Sequence, residues 1–252
     1  MSLRFMVSLA VIITLVACST NKGAEKDAPF IPEEAYNRAN ELINSGYYDN
    51  ARELLEKIPA QDTSQKFADL ARLRIADTYY EQESYEEATV EYESFLNLYP
   101  YHKYGAYAQY KLAMCYFRRI QNVDTGYSWA QRAKTEFENL QRHYPRNPYM
   151  DIIENRIREC RNIMAGYELY VGNFYFKKGS FSAALGRFSI ILRDYPDSDT
   201  VAEALYNSGL AYDNLGERDK AIESLNALIT RYPSTELSSK ARQLIVSFDQ
   251  EK

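Results

Sequence analysis

The sequence predicts an all-α fold, a superhelical stack of about five helix-turn-helix units closed by a C-terminal helix. Three observations lead there. The stretch from Val201 to Pro233 reads as two short amphipathic helices back to back. Leu205, Gly209 and Tyr212 share a face of the first, and Ala221, Leu225 and Leu228 share a face of the second. Spacings of three and four residues mark a helix with one apolar stripe. Between the two, Gly216 suits a left-handed C-cap, and Tyr232-Pro233 stops the second helix because proline cannot continue one. The second observation is recurrence. The alanine of the second helix returns as Ala51, Ala88, Ala133, Ala184 and Ala221, at steps of 37, 45, 51 and 37 residues. The third is the stop itself, Tyr99-Pro100, Tyr144-Pro145, Tyr195-Pro196 and Tyr232-Pro233, which shares the last three of those steps. A hairpin with one apolar face cannot bury it alone, so copies stack.

In this register the chain resembles the tetratricopeptide (TPR) repeat, a helix-turn-helix unit of about 34 residues. The small-residue position of that repeat falls at Ala39, Ala76, Ala113, Gly172 and Gly209, and the aromatic or leucine that follows at Leu42, Tyr79, Tyr116, Tyr175 and Tyr212. The bulky position of the second helix falls at Leu55, Tyr92, Phe137, Phe188 and Leu225.

Taken in order, the chain opens with Arg4 and an apolar run from Phe5 to Ala17. That run is shorter than the roughly 20 residues a spanning helix needs, so residues 1–17 read as a secretory signal peptide. Its end, Leu15-Val16-Ala17-Cys18, resembles the bacterial lipoprotein cleavage box, with Cys18 as the acylated first residue of the mature chain. A plain membrane helix and an uncleaved core segment are the alternatives. Residues 18–30 read as a polar, flexible tether, and Ser19 after the cysteine points, by analogy with lipoprotein sorting, to the outer membrane. Pro32-Glu33-Glu34 starts a helix, with proline in the first turn and acids at its positive end. The first hairpin turns at Ser45-Gly46-Tyr47 and stops at Ile58-Pro59; the second runs from about Ser64 to Leu98. In the third, an extra segment from Arg119 to Trp129 separates the helices and is expected to project from one edge of the stack. A helix from about Met150 precedes the fourth hairpin, which turns at Lys178-Gly179-Ser180. Thr200 to Glu203 has the pattern of a capping box before the fifth. The last helix, about Thr235 to Phe248, has the polar outer face a terminal lid requires. Residues 31–145 and 146–252 form the expected N-terminal and C-terminal halves.

Net charge is −5, with 30 basic and 35 acidic residues mixed along the chain. No basic stripe marks a nucleic-acid protein. No phosphate-binding loop, nucleophile elbow, H-E-x-x-H or paired C-x-x-C occurs. His102 and His143 each sit beside a tyrosine-proline stop without metal-ligand spacing, so neither a metal nor a cofactor is expected. Cys115 and Cys160 read as buried helix residues, in a compartment that also permits a disulfide.

Binding is the function left. In the TPR register the groove-facing positions of the first helices are Tyr36, Asn40 and Ile43; Leu73, Asp77 and Tyr80; and Tyr107, Tyr110, Met114 and Phe117. Lys111 and Arg118 lie beside the last set. Such a surface suits an extended peptide with aromatic side chains and a terminal carboxylate that a cation can pair.

Longer stretches resemble the BamD family, the TPR lipoproteins of the outer-membrane β-barrel assembly (BAM) machinery. They are LVACS, AYAQYKLAMCYF with RRIQNVDTGYSWAQRA, and AGYELYVGNFYFKKGSFSAALGRFSIILRDYP. The resemblance implies a periplasm-facing, lipid-anchored, non-enzymatic scaffold. Its C-terminal repeats would dock on the POTRA domains of the barrel subunit, beside other BAM lipoproteins. Its N-terminal repeats would receive unfolded barrel proteins by their aromatic-ended C-terminal strand. The competing readings are another envelope TPR adaptor, coordinating division or peptidoglycan synthesis, and a cell-wall enzyme, for which no segment remains to hold a catalytic domain.

Overall fold

The three- and four-residue spacing becomes helix throughout the computed structural model, which describes residues 29–250. In chain order the helices are α1 (Pro32–Asn44), α2 (Tyr48–Leu55), α3 (Ile58–Gln61), α4 (Ala68–Glu81), α5 (Tyr85–Leu98) and α6 (Gly105–Arg118). They continue as α7 (Tyr127–His143), α8 (Met150–Lys177), α9 (Phe181–Asp194), α10 (Val201–Asn214), α11 (Arg218–Arg231) and α12 (Glu236–Gln250). No strand occurs among the described residues. The signal segment, Cys18 and the tether up to residue 28 lie outside them. From Pro32 onward the helices form one unit.

Five hairpins stack in chain order: α1/α2, α4/α5, α6/α7, the C-terminal half of α8 with α9, and α10/α11. The recurring small residues are the reason the helices meet closely. Ala39, Ala76 and Ala113 on the first helices and Ala51, Ala88, Ala133, Ala184 and Ala221 on the second have no exposed surface. Leu55, Tyr92, Phe137, Phe188 and Leu225 are also fully buried. In the later repeats the approach is closer still. A Cβ at Gly209 would lie 2.7 Å from Leu225 Cδ2, and one at Gly172 would meet the Phe188 ring. Helix α12 closes the stack against α10 and α11, with Ala241 and Phe248 buried.

The turns follow the same logic. Gly46, Gly179 and Gly216 hold φ of +79°, +75° and +74°, and Glu217 N–H donates back to the Tyr212 carbonyl at 2.9 Å, which ends α10 in the Schellman manner. At the matching turn of the second hairpin Glu83 takes φ +61°, a conformation that costs a residue with a Cβ about 1 kcal/mol.

Four local expectations change. Ile58-Pro59 does not end a helix: α2 stops at Leu55 and Ile58–Gln61 makes a further turn, with Pro59 in its first positions, where its missing N–H has no helical partner to lose. Thr200 does not cap α10. Its hydroxyl pairs with Ser198 two residues back at 2.9 Å, and Glu203 accepts from Asn173 of α8 at 3.1 Å, so a neighbouring loop hydroxyl and a partner from the preceding repeat displace the box. The helix after Pro145 and the first helix of the fourth hairpin are one element, α8, whose 28 residues span about 42 Å at 1.5 Å per residue. The 119–129 insertion is exposed at residues 121–125 but is tied to α8 through Val123 and Tyr127. Val123 packs where a Cβ on Gly166 would sit, 3.0 Å from its Cγ1, and the Tyr127 ring lies 5.1 Å from that of Tyr167.

Cys115 and Cys160 are free and buried. Burial pushes both thiols up to about 12.

Candidate functional site

A cavity of about 380 Å³ opens among α1, the first three turns of α4 and the start of α6. Tyr36, Leu70, Leu73, Arg74, Asp77, Tyr104, Tyr107 and Tyr149 line it. Consecutive repeats place these residues together because each first helix presents the same face, one turn apart, to the same side of the stack.

Asp77 organises the floor. It is 5% exposed, and its Oδ1 accepts hydrogen bonds from the hydroxyls of Tyr92 at 2.7 Å and Tyr107 at 2.8 Å. Its Oδ2 accepts from Arg74 Nη1 at 3.0 Å. Arg74 Nε donates to Asn40 Oδ1 at 2.9 Å, and the Asn40 amide in turn donates to the Tyr36 carbonyl at 3.0 Å. The guanidinium is thus gripped on two sides, from α1 through Nε and from its own helix through Nη1, and Nη2 takes part in neither contact. A buried carboxylate held by three donors is stabilised rather than orphaned. Burial, then the Asp77 charge, drives the Tyr107 hydroxyl far above the ordinary phenol range, and Tyr92 follows for the same reasons. Both remain donors at any physiological pH. Burial also raises Tyr36, with Arg74 opposing it.

Of the groove candidates, Tyr36, Leu73, Asp77 and Tyr107 line the cavity and Asn40 steadies its arginine. Tyr110 stacks face to face on Tyr149, 4.4 Å apart at 7°. Lys111 Nζ lies 3.8 Å from the centre of the Tyr80 ring, a cation–π contact, and 3.7 Å from a Glu81 carboxylate oxygen. Phe117 sits against Phe137 and under Arg156, while Arg118 is exposed at the end of α6 and lines a separate cleft. Ile43 and Met114 are buried, at 8% and 4% exposure, and serve packing between helices rather than a groove. Sequence reasoning missed Leu70, Arg74, Tyr104 and Tyr149. Arg74 carried a signal, since it stands three residues before Asp77 and a helix puts that pair on one face. Tyr149 carried none, because it enters from the loop before α8.

No helix among the described residues is long and apolar enough to cross a membrane, and no group of three or more His, Cys, Asp or Glu is placed to hold a metal ion among them.

Repeat register and hairpin packing together define a TPR protein. The profile of the family YfiO, described as an outer membrane lipoprotein, matches residues 30–224, and the chain belongs to that family, also known as BamD. Relatives named outer membrane protein assembly factor BamD span nearly the whole chain. The one from Rickettsia prowazekii is 29% identical over 250 residues, covering 98% of this chain and 99% of its own. The one from Neisseria meningitidis serogroup A is 26% identical over 254 residues, covering 95% of each. Among solved structures, the TPR2AB domain of yeast Sti1 overlays with a TM-score of 0.48 at 15% identity, over 87% of this chain and 86% of that one, a likeness too loose to argue from.

Proposed function

We propose that this protein is an assembly factor for outer-membrane β-barrel proteins, a non-catalytic scaffold within the BAM complex, lipid-anchored through Cys18 and facing the periplasm. Family membership over most of the chain and the assembly-factor name its relatives share support that role. In this reading the C-terminal repeats dock on the POTRA domains of the barrel subunit, alongside other lipoproteins of the complex. The N-terminal repeats receive unfolded barrel proteins.

The observation that carries the receptor role is the clamped Arg74 inside an aromatic cavity. A barrel strand alternates apolar and polar side chains, and its aromatic last residue fits among Tyr36, Tyr104, Tyr107 and Tyr149 while its carboxylate meets Nη2. Binding free energy alone supplies selectivity. The test uses a peptide ending in phenylalanine, with a free or an amidated C-terminus, titrated against the chain and its Arg74→Gln variant. The free acid should bind at least tenfold more tightly than the amide, and Arg74→Gln should erase the difference. Equal affinities would remove the carboxylate from the reading. Mild detergent extraction should co-purify a POTRA-bearing barrel protein, and labelled palmitate should enter the chain but not its Cys18→Ala variant.

A further inference from the structure

A second cleft, of about 600 Å³, lies at the opposite end of the same helices, between the turn of the second hairpin and the 119–129 insertion. Arg118, Arg119, Glu83, Tyr85, Thr125 and Trp129 are among the residues around it. We infer that this cleft is a receptor for the carboxylate side chains of an acidic partner polypeptide. The inference stands apart from the aromatic cavity and its proposed ligand.

Two adjacent arginines project here, and the structure commits little of either. The Arg119 guanidinium lies 3.8 Å from the centre of the Trp129 ring. Stacking on an indole fixes an arginine's orientation while its in-plane donors stay available for the two oxygens of a carboxylate. Its ion pair with Glu86 spans 3.7 Å, and the Glu86 side chain is 80% exposed. Such solvent-screened contacts hold weakly, and an incoming acid displaces this one. Arg118 is exposed, and its neighbour is the neutral Tyr80 hydroxyl.

Backbone strain marks the same rim. Three sibling hairpins place glycine in the left-handed region at this turn, whereas the second places Glu83 there at φ +61°. A residue with a Cβ holds that conformation at a cost, and strain of this kind gathers where function retains it. Glu83 adds a carboxylate opposite the arginines, so it opposes an acidic ligand and would attract a basic one. That opposition makes the sign of the ligand testable. The chain as a whole carries a net charge of −5, which opposes adsorption to an extended anionic membrane more than contact with one short acidic segment confined to the cleft.

Trp129 is the single tryptophan, so its emission reports occupancy directly. The probe is an acetylated and amidated peptide of four glutamates flanked by glycines, compared with its glutamine counterpart. The glutamate peptide should change the Trp129 emission saturably, more weakly as salt rises, and the glutamine peptide should not. Arg118→Ala and Arg119→Ala should each weaken binding about tenfold, followed by calorimetry because removing Arg119 alters the reporter's surroundings. Glu83→Gln should tighten binding several-fold, and because it lies on an exposed turn it tests the idea even if an arginine variant misfolds. Three results would overturn the assignment. One is equal response to both peptides, or none. Another is weaker binding of the glutamate peptide by Glu83→Gln, which would mean that the peptide does not sit against the arginines opposite Glu83. The third is an emission change with phosphatidylglycerol vesicles that needs Arg118 and Arg119 and that the peptide does not compete away.

Discussion

Replacing Asp77 by alanine tests the architecture of the groove directly. The carboxylate is 5% exposed and takes three hydrogen bonds, from Tyr92, Tyr107 and Arg74. Tyr92 is fully buried, so its hydroxyl would be left without an acceptor, at about 1–3 kcal/mol. Tyr107 is half-buried and can turn its hydroxyl to water, so it adds less. Arg74, whose side chain is 28% exposed, loses its paired charge but keeps Asn40 and gains solvent. Together the loss should come to about 3–5 kcal/mol, the range for removing one partner of a buried pair. Stability is measured by urea unfolding, with native-state hydrogen exchange in α4 to α6 as a local readout, since repeat arrays need not unfold as one unit. Combining Asp77→Ala with Tyr92→Phe removes the orphaned hydroxyl and should recover part of the loss, giving a coupling of about 1 kcal/mol or more in a double-mutant cycle. A loss below about 1 kcal/mol for Asp77→Ala, with no coupling to Tyr92, would refute the view that this carboxylate holds the floor together.

Alkaline pH should weaken the fold. Burial raises Tyr36, Tyr92, Tyr107, Tyr144 and Tyr149 above the ordinary phenol value of 10.0. The folded state therefore keeps protons that the unfolded chain gives up, so their stabilisation is complete below about pH 10 and declines as pH rises toward the folded values. A urea midpoint that stays flat well above that value would contradict this. Two glycines in helix interiors should respond oppositely to alanine. Gly186→Ala meets nothing within 4 Å and should stabilise by about 0.5–1 kcal/mol through helix propensity. Gly172→Ala drives a methyl into the Phe188 ring and should destabilise by about 1–3 kcal/mol, both read from thermal and urea denaturation.

The repeat was legible because it is written in local terms. Residues such as Ala88 and Ala133 recur at fixed distance from a tyrosine-proline stop, and helical periodicity turns that spacing into a buried seam whatever lies further along the chain. The left-handed cap at Gly216 was legible for the same reason, since only a few residue types tolerate that backbone region. Where a residue's partner lies in another repeat, the local signal ran out. Glu203 stands where a capping box would use it, yet Asn173 of the preceding repeat takes its side chain. Ile43 and Met114 sit on the helix face that a repeat register assigns to a groove, and neighbouring helices bury them. Tyr149 joins the cavity from beyond the third hairpin, across a distance that no local spacing encodes. The chain alone thus determined how many hairpins form, where they turn and which small residues let them touch, because each of those depends on contacts a few residues away. The tertiary structure decided which side chains converge on Asp77 and Arg74 and which arginines gather beside Trp129, because charge and hydrogen bonding are settled by neighbours that only stacking brings within 3 or 4 Å.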